Sequence, residues 1–187
     1  MDYEYYYNNA RTRYYNACTE ITNCENRLGG LNTQRQQKIN QINQLNTEIK
    51  NGQDALEGVG QTIQSEEGLH DKILGVTNKT SEAAANYCGM IEASDVTSKN
   101  LDEVYGDETT NTKRTLDSIL ESLKTKKGTL ETEIEELQSQ LRTAEADLLD
   151  IDNKISSTQT SIQDWIRARS SASIDMEYYY RKMNEAV

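Results

Sequence analysis

The sequence predicts an all-α fold, a long antiparallel coiled-coil helical hairpin, and three observations carry that prediction. No proline interrupts the 187 residues, so no residue lacks a helical N–H donor or forces a kink. Two long segments place an apolar residue in step every seven residues, the pattern that winds helices into a left-handed coiled coil. Only 35% of the residues are hydrophobic and 27% are charged, which suits helices that bury one stripe better than it suits a globular core.

The first arm is read over about residues 3–91. One heptad series runs Tyr7, Tyr14, Ile21, Leu28, Arg35, Ile42, Ile49, Leu56, Ile63, and its companion runs Ala10, Ala17, Cys24, Leu31, Lys38, Leu45, Gly52, Val59, Glu66. Only Arg35, Lys38, Gly52 and Glu66 depart from apolar or aromatic character. Beyond Glu66 the stripe thins, and Gly52, Gly58, Gly60, Gly68 and Gly75 each weaken a helix by about 1 kcal/mol relative to alanine. Bends, fraying or a break are expected there, or a fold back into a shorter four-helix bundle.

The turn region is placed at about 92–112, where the heptads fail and Ser94, Asp95, Asn100 and Gly106 offer caps and turns. The second arm is read over about 113–186. Leu116, Leu123, Leu130, Leu137, Ala144, Ile151, Thr158, Trp165, Ala172 and Tyr179 form one series. Leu120, Lys127, Ile134, Leu141, Leu148, Ile155, Ile162, Arg169, Met176 and Met183 form the other.

One hairpin domain over 1–187, pivoting near Ala93, pairs residues whose numbers sum to about 186. Ala10 then faces Met176, Tyr14 faces Ala172, Ile42 faces Ala144 and Gly52 faces Ile134, small against large as interdigitating layers require. Arg35 and Lys38 fall beside Asp147, Asp150 and Asp152, a polar layer of the kind that sets register at some cost in stability. Each arm is roughly 135 Å long if unbroken, at 1.5 Å per residue.

Antiparallel arms bring the two tyrosine clusters to one tip. Tyr3, Tyr5, Tyr6, Tyr7, Tyr14 and Tyr15 open the chain, and Tyr178, Tyr179 and Tyr180 stand near its end. The seam takes only two or three of these rings. The rest are expected to form a protein-binding patch of Tyr3, Tyr5, Tyr6, Tyr15, Trp165, Tyr178, Tyr179, Tyr180 and Arg181, since Tyr, Trp, Met and Arg are enriched in interface cores. The opposite end is acidic, with 10 Asp and Glu against three Lys over residues 61–110.

Other functions are disfavoured by composition. A net charge of −11 argues against nucleic acid, whose binders need basic patches. No run of about 20 apolar residues predicts membrane insertion, and no signal-peptide pattern is seen. No catalytic, cofactor or metal site is expected. The single histidine, His70, sits in Glu67-x-x-His70, half of a di-metal pattern that needs a second histidine. Asp150-x-Asp152-Asn153 lacks the glycine and distal glutamate of a calcium loop. Cys18, Cys24 and Cys88 fit no zinc or disulfide framework and are read as buried, reduced thiols. A cytoplasmic setting is expected, or export by a route that needs no signal peptide.

Tyr87-Cys88-Gly89, an aromatic-x-Gly triplet near the midpoint of a proline-free helical hairpin, resembles the turn of the WXG100 (ESX-like) proteins. The longer LXG-type and associated helical proteins of type VII secretion in Gram-positive bacteria share that layout. The resemblance implies that Tyr87 and Gly89 mark the turn, and that the chain pairs with a helical protein partner as a homodimer or heterodimer. Tyr stands here where those families carry Trp. Their C-terminal Tyr-x-x-x-Asp/Glu signal has no match, because Tyr178, Tyr179 and Tyr180 are followed at the fourth place by Lys182, Met183 and Asn184. The expected function is therefore non-enzymatic protein binding through the tyrosine-rich tip, as a bacterial type VII secretion component or partner. A rigid spacer or stalk, and a helical chaperone or adaptor, are the alternatives.

Overall fold

The computed structural model describes residues 2–88 and 107–185, with side chains at 2–76, 79 and 110–185. Among the described residues two helices make up the fold. Helix α1 spans Tyr3–Cys88 (86 residues) and helix α2 spans Asp107–Glu185 (79 residues). They pack against each other as an all-α helical hairpin. Helix α2 begins at Asp107, so residues 107–112, which the heptad pattern assigns to the turn region, are helical.

Helix α1 starts where Asp2 caps it. The Asp2 Oδ1 accepts a hydrogen bond from the Tyr5 backbone N–H at 2.9 Å, and its carbonyl accepts one from Tyr6 at 3.3 Å. A carboxylate in this place satisfies an orphan donor and faces the positive end of the helix dipole. Threonines are tolerated throughout because their hydroxyls donate to the carbonyl four residues back, as at Thr12, Thr33, Thr62 and Thr125.

The glycines do not end the helix. Helix α1 runs unbroken through Gly52, Gly58, Gly60, Gly68 and Gly75, and none of the glycines described has a positive φ. The expected break, and the four-helix alternative that depends on it, are not formed among the described residues. Each glycine costs about 1 kcal/mol, but stopping and restarting a helix costs a new nucleus, and no proline is present to force it.

Two compact units divide the hairpin. The first joins residues 1–46 to 140–187. Its core is Ala10, Ala17, Ile21, Leu31 and Leu45 from α1, with Ala144, Ile151 and Ala172 from α2, all buried. Thr158 is buried in the same stripe, and its hydroxyl donates to the Lys154 carbonyl at 2.7 Å, so this buried polar group is satisfied. The second unit spans residues 47–139 and buries Ile49, Leu116, Leu120 and Ile134. Every one of these residues belongs to one of the four heptad series.

The register expected from the sequence is the register found. In the first unit, Tyr6 meets Tyr179, Arg13 meets Asp175, Arg35 meets Asp152 and Lys38 meets Asp147. In the second, Gly52 meets Ile134 and His70 meets Asp117. All of these numbers sum to within two of 186, whereas a one-heptad slip would move the sum by seven. Among the described residues no large side chain falls below 2% exposure, because a seam between two helices closes over alanine but leaves the outer edges of leucine and isoleucine in water.

Candidate protein-interaction surface

The hairpin sets the first residues of α1 beside the last residues of α2. The Tyr6 ring stacks on Tyr179 with centroids 5.4 Å apart and planes at 23°. Tyr5 meets Tyr6 edge-on at 5.5 Å, and Tyr178 meets Tyr179 edge-on at 5.2 Å. Tyr7 and Tyr180 lie 6.1 Å apart. Four consecutive rings, Tyr5, Tyr6, Tyr179 and Tyr178, thus form a continuous aromatic strip across both helices. These are the offset and edge-to-face geometries that aromatic quadrupoles favour.

Heptad position decides which rings stay outside. Tyr3, Tyr7, Tyr14 and Tyr179 are half-buried toward the seam. Tyr5, Tyr6, Tyr15, Tyr178 and Tyr180 are exposed, Tyr5 most of all at 62%. Four rings therefore turn inward, more than the two or three expected, because the wide seam takes rings that are only partly covered. Met176 and Met183 are half-buried beside them.

Charges frame the strip. Arg13 bridges the helices to Asp175 at 2.8 Å. Arg181, an expected contact residue, is exposed and pairs with Glu177 on its own helix at 3.4 Å. Lys182 donates to Glu185. That hydrogen bond, with the attraction between the charges, holds the Lys182 ammonium above its ordinary pKa and the Glu185 carboxyl below its own. The Arg11 guanidinium lies 5.7 Å from the centre of the Tyr15 ring, a cation–π placement.

One expected member of the patch, and the expected turn residues, lie away from the tip. Trp165 is 37% exposed but lies fourteen residues before Tyr179, about 21 Å along the helix axis. Tyr87 falls in the last turn of α1; its side chain and all of Gly89 lie outside the described residues, as does the Cys88 side chain. Cys18 and Cys24 are free and half-buried rather than fully enclosed, since each sits at the edge of a two-helix seam.

Other polar residues serve the hairpin. Glu67 pairs with Lys124 at 3.1 Å, and the His70 Nε2 lies 3.3 Å from the Asp117 Oδ1. Both members of the Glu-x-x-His spacing thus reach across to α2. Asp150 pairs with Lys154. The heptad stripe does not reveal these cross-helix contacts, because they lie on its flanks and depend on register. Among the described residues no group of three or more His, Cys, Asp and Glu could hold a metal, and no helix is long and apolar enough to cross a membrane.

The exposed rings offer flat apolar faces with hydroxyls at their rims, suited to a protein surface with apolar recesses and polar edges. Compared with family models, with curated proteins and with solved structures, the chain finds no match.

Proposed function

We propose that the protein is a non-enzymatic helical hairpin that binds another protein through its tyrosine-rich tip. The observation that supports this reading most is the exposed strip itself, in which the ends of both helices contribute rings that the seam does not use. Burying such rings is worth more per residue than burying any other side chains of an exposed surface, and their two side-chain torsions make ordering them cheap. The partner envisaged is a helical protein of a bacterial complex, as a type VII secretion component or an associated factor would have. The proline-free hairpin and the Tyr87-Cys88-Gly89 triplet support that setting.

Site-specific photo-crosslinking in the source cells tests the reading. A crosslinker at Tyr5 or Tyr180 is expected to capture one defined protein in one-to-one yield, and a crosslinker at exposed Gln64 is not. Equal capture from all three positions, or none from the tip, overturns it. A spacer function is the second reading, favoured by the length of the two unbroken helices; it predicts that inserting one heptad in each arm alters function while tyrosine changes do not.

A further inference from the structure

We propose that the α1 side of the tip is a self-complementary docking face whose occupant is a second copy of this chain. The copy lies antiparallel across the first three turns of α1, about a two-fold axis beside Asn8. The inference rests on reading the tip as a docking surface and names one occupant for part of it.

Glu4, Asn8, Arg11 and Tyr15 follow one another at steps of four, three and four residues, so they stand in one row along α1. All four are exposed. The row points away from the seam, which takes Tyr3, Tyr7, Ala10, Tyr14 and Ala17 instead. The charged groups nearby are engaged within the chain. Asp2 caps α1, Arg13 holds Asp175, Arg181 holds Glu177 and Lys182 holds Glu185. Among the described residues of this end, Glu4 and Arg11 are the two charged side chains with neither an ion pair nor a capping hydrogen bond.

Glu4 and Arg11 are seven residues apart, about 10.5 Å along the axis, which is too far for them to meet each other. Reversing the direction of a second α1 places its Arg11 opposite Glu4 and its Glu4 opposite Arg11. One operation satisfies both charges twice, which is the condition for an isologous contact. Tyr15 already supports the Arg11 guanidinium on its ring face, and the most exposed ring, Tyr5, flanks the same row.

Net charge points the same way. The chain carries −11, so two copies laid flank to flank repel. Residues 1–15 and 172–187 hold five acidic and four basic side chains, so this end is nearly neutral and adds little to the repulsion between two copies. Three turns of helix cover much less than the ~800 Å² per partner of a standard interface. The pair is therefore weak, reversible and sensitive to salt.

Sedimentation of the full chain up to about 500 μM, a concentration that populates dimers with a Kd of roughly 500 μM and below, tests this at low and high salt. A reversible dimer that weakens with salt is expected. Glu4→Arg alone, or Arg11→Glu alone, sets like charges opposite each other twice and is expected to weaken the dimer at least ~10-fold. Mixing the two single variants restores opposite charges and is expected to return a heterodimer within ~3-fold of the original affinity. Because recovery is read in the mixture, a misfolded variant cannot imitate it. A chain that stays monomeric throughout, a dimer that both single variants retain, or a mixture no tighter than its components overturns the proposal. Monomeric behaviour leaves the crosslinking result at the tip to decide the broader reading separately.

Discussion

Gly52 stands against Ile134 so closely that a Cβ built on the glycine would lie 3.0 Å from the isoleucine Cγ1. Ile134 is buried at 7% exposure, and its branched side chain has little rotamer freedom on a helix. The glycine is what lets this layer close.

Glycine substitutions should therefore separate by register. Gly58→Ala meets nothing within 4 Å and is expected to stabilise by about 1 kcal/mol through helix propensity. Gly52→Ala should show little or none of that gain, and Gly52→Leu should destabilise by about 1–3 kcal/mol through overpacking. Chemical denaturation of the three variants checks this, and a double-mutant cycle with Ile134→Ala, which removes the Cγ1 that the new methyl meets, should show a favourable coupling with Gly52→Ala.

Leu45 is a core residue at 5% exposure. Leu45→Ala is expected to cost about 2–4 kcal/mol. Leu45→Asp should cost more, because it buries a charge with no partner. Circular dichroism melts distinguish the two, with loss of cooperative unfolding expected only for the aspartate.

The exposed rings should behave in the opposite way. Changing Tyr5 to Ser is expected to leave the melting temperature nearly unchanged while reducing capture by a crosslinker at Tyr180. The Tyr6–Tyr179 stack is different, since it joins the two helices. A double-mutant cycle with alanine at both positions should give a coupling of about 0.5–1.5 kcal/mol.

Arg35 and Lys38 interrupt the apolar stripe and reach Asp152 at 2.7 Å and Asp147 at 3.1 Å. The Arg35–Asp152 pair is partly exposed on both sides and Lys38 is mostly covered but reaches an exposed carboxylate, so each contributes about 0–1 kcal/mol. Replacing Arg35 and Lys38 together with Leu should raise the melting temperature, because two more layers become apolar. It should also broaden the distance distribution between spin labels placed on the two helices, since the polar layer no longer marks the register.

The Lys182–Glu185 pair closes the last turn of α2 and should respond to pH at both ends. The Glu185 carboxyl is depressed by the Lys182 hydrogen bond, so its contribution is present above its unfolded pKa and is lost as pH falls through the folded value. The Lys182 ammonium is raised by the same bond, so its contribution is present below its unfolded pKa and is lost as pH rises through the folded value. Proton and carbon shifts of the two side chains should show this window, with the global melting transition unmoved.

Several features of the fold are legible in the order of residues. The buried residues all come from the four heptad series, because a stripe repeated every seven residues has only one way to leave water. The pairing of Gly52 with Ile134, and of Arg35 and Lys38 with the Asp147–Asp152 segment, followed from counting back from a pivot. Trp165 shares a stripe with Tyr179 but does not join the tip, because a stripe records the face and not the height along the axis. The breaks expected at the glycines did not form, because a local propensity cost is small beside the continuous hydrogen bonding and packing of a long helix.

By itself, then, the sequence determined that the chain is helical, which face of each helix is buried, and how the two arms align. These depend on periodicity and on side-chain size, and both are written in the order of residues. Tertiary structure decided which tyrosines stack and which face outward, that Glu67 and His70 reach across to α2, and that Glu4 and Arg11 are left over. These depend on distances between residues far apart in the chain, and such distances exist only once two helices lie side by side.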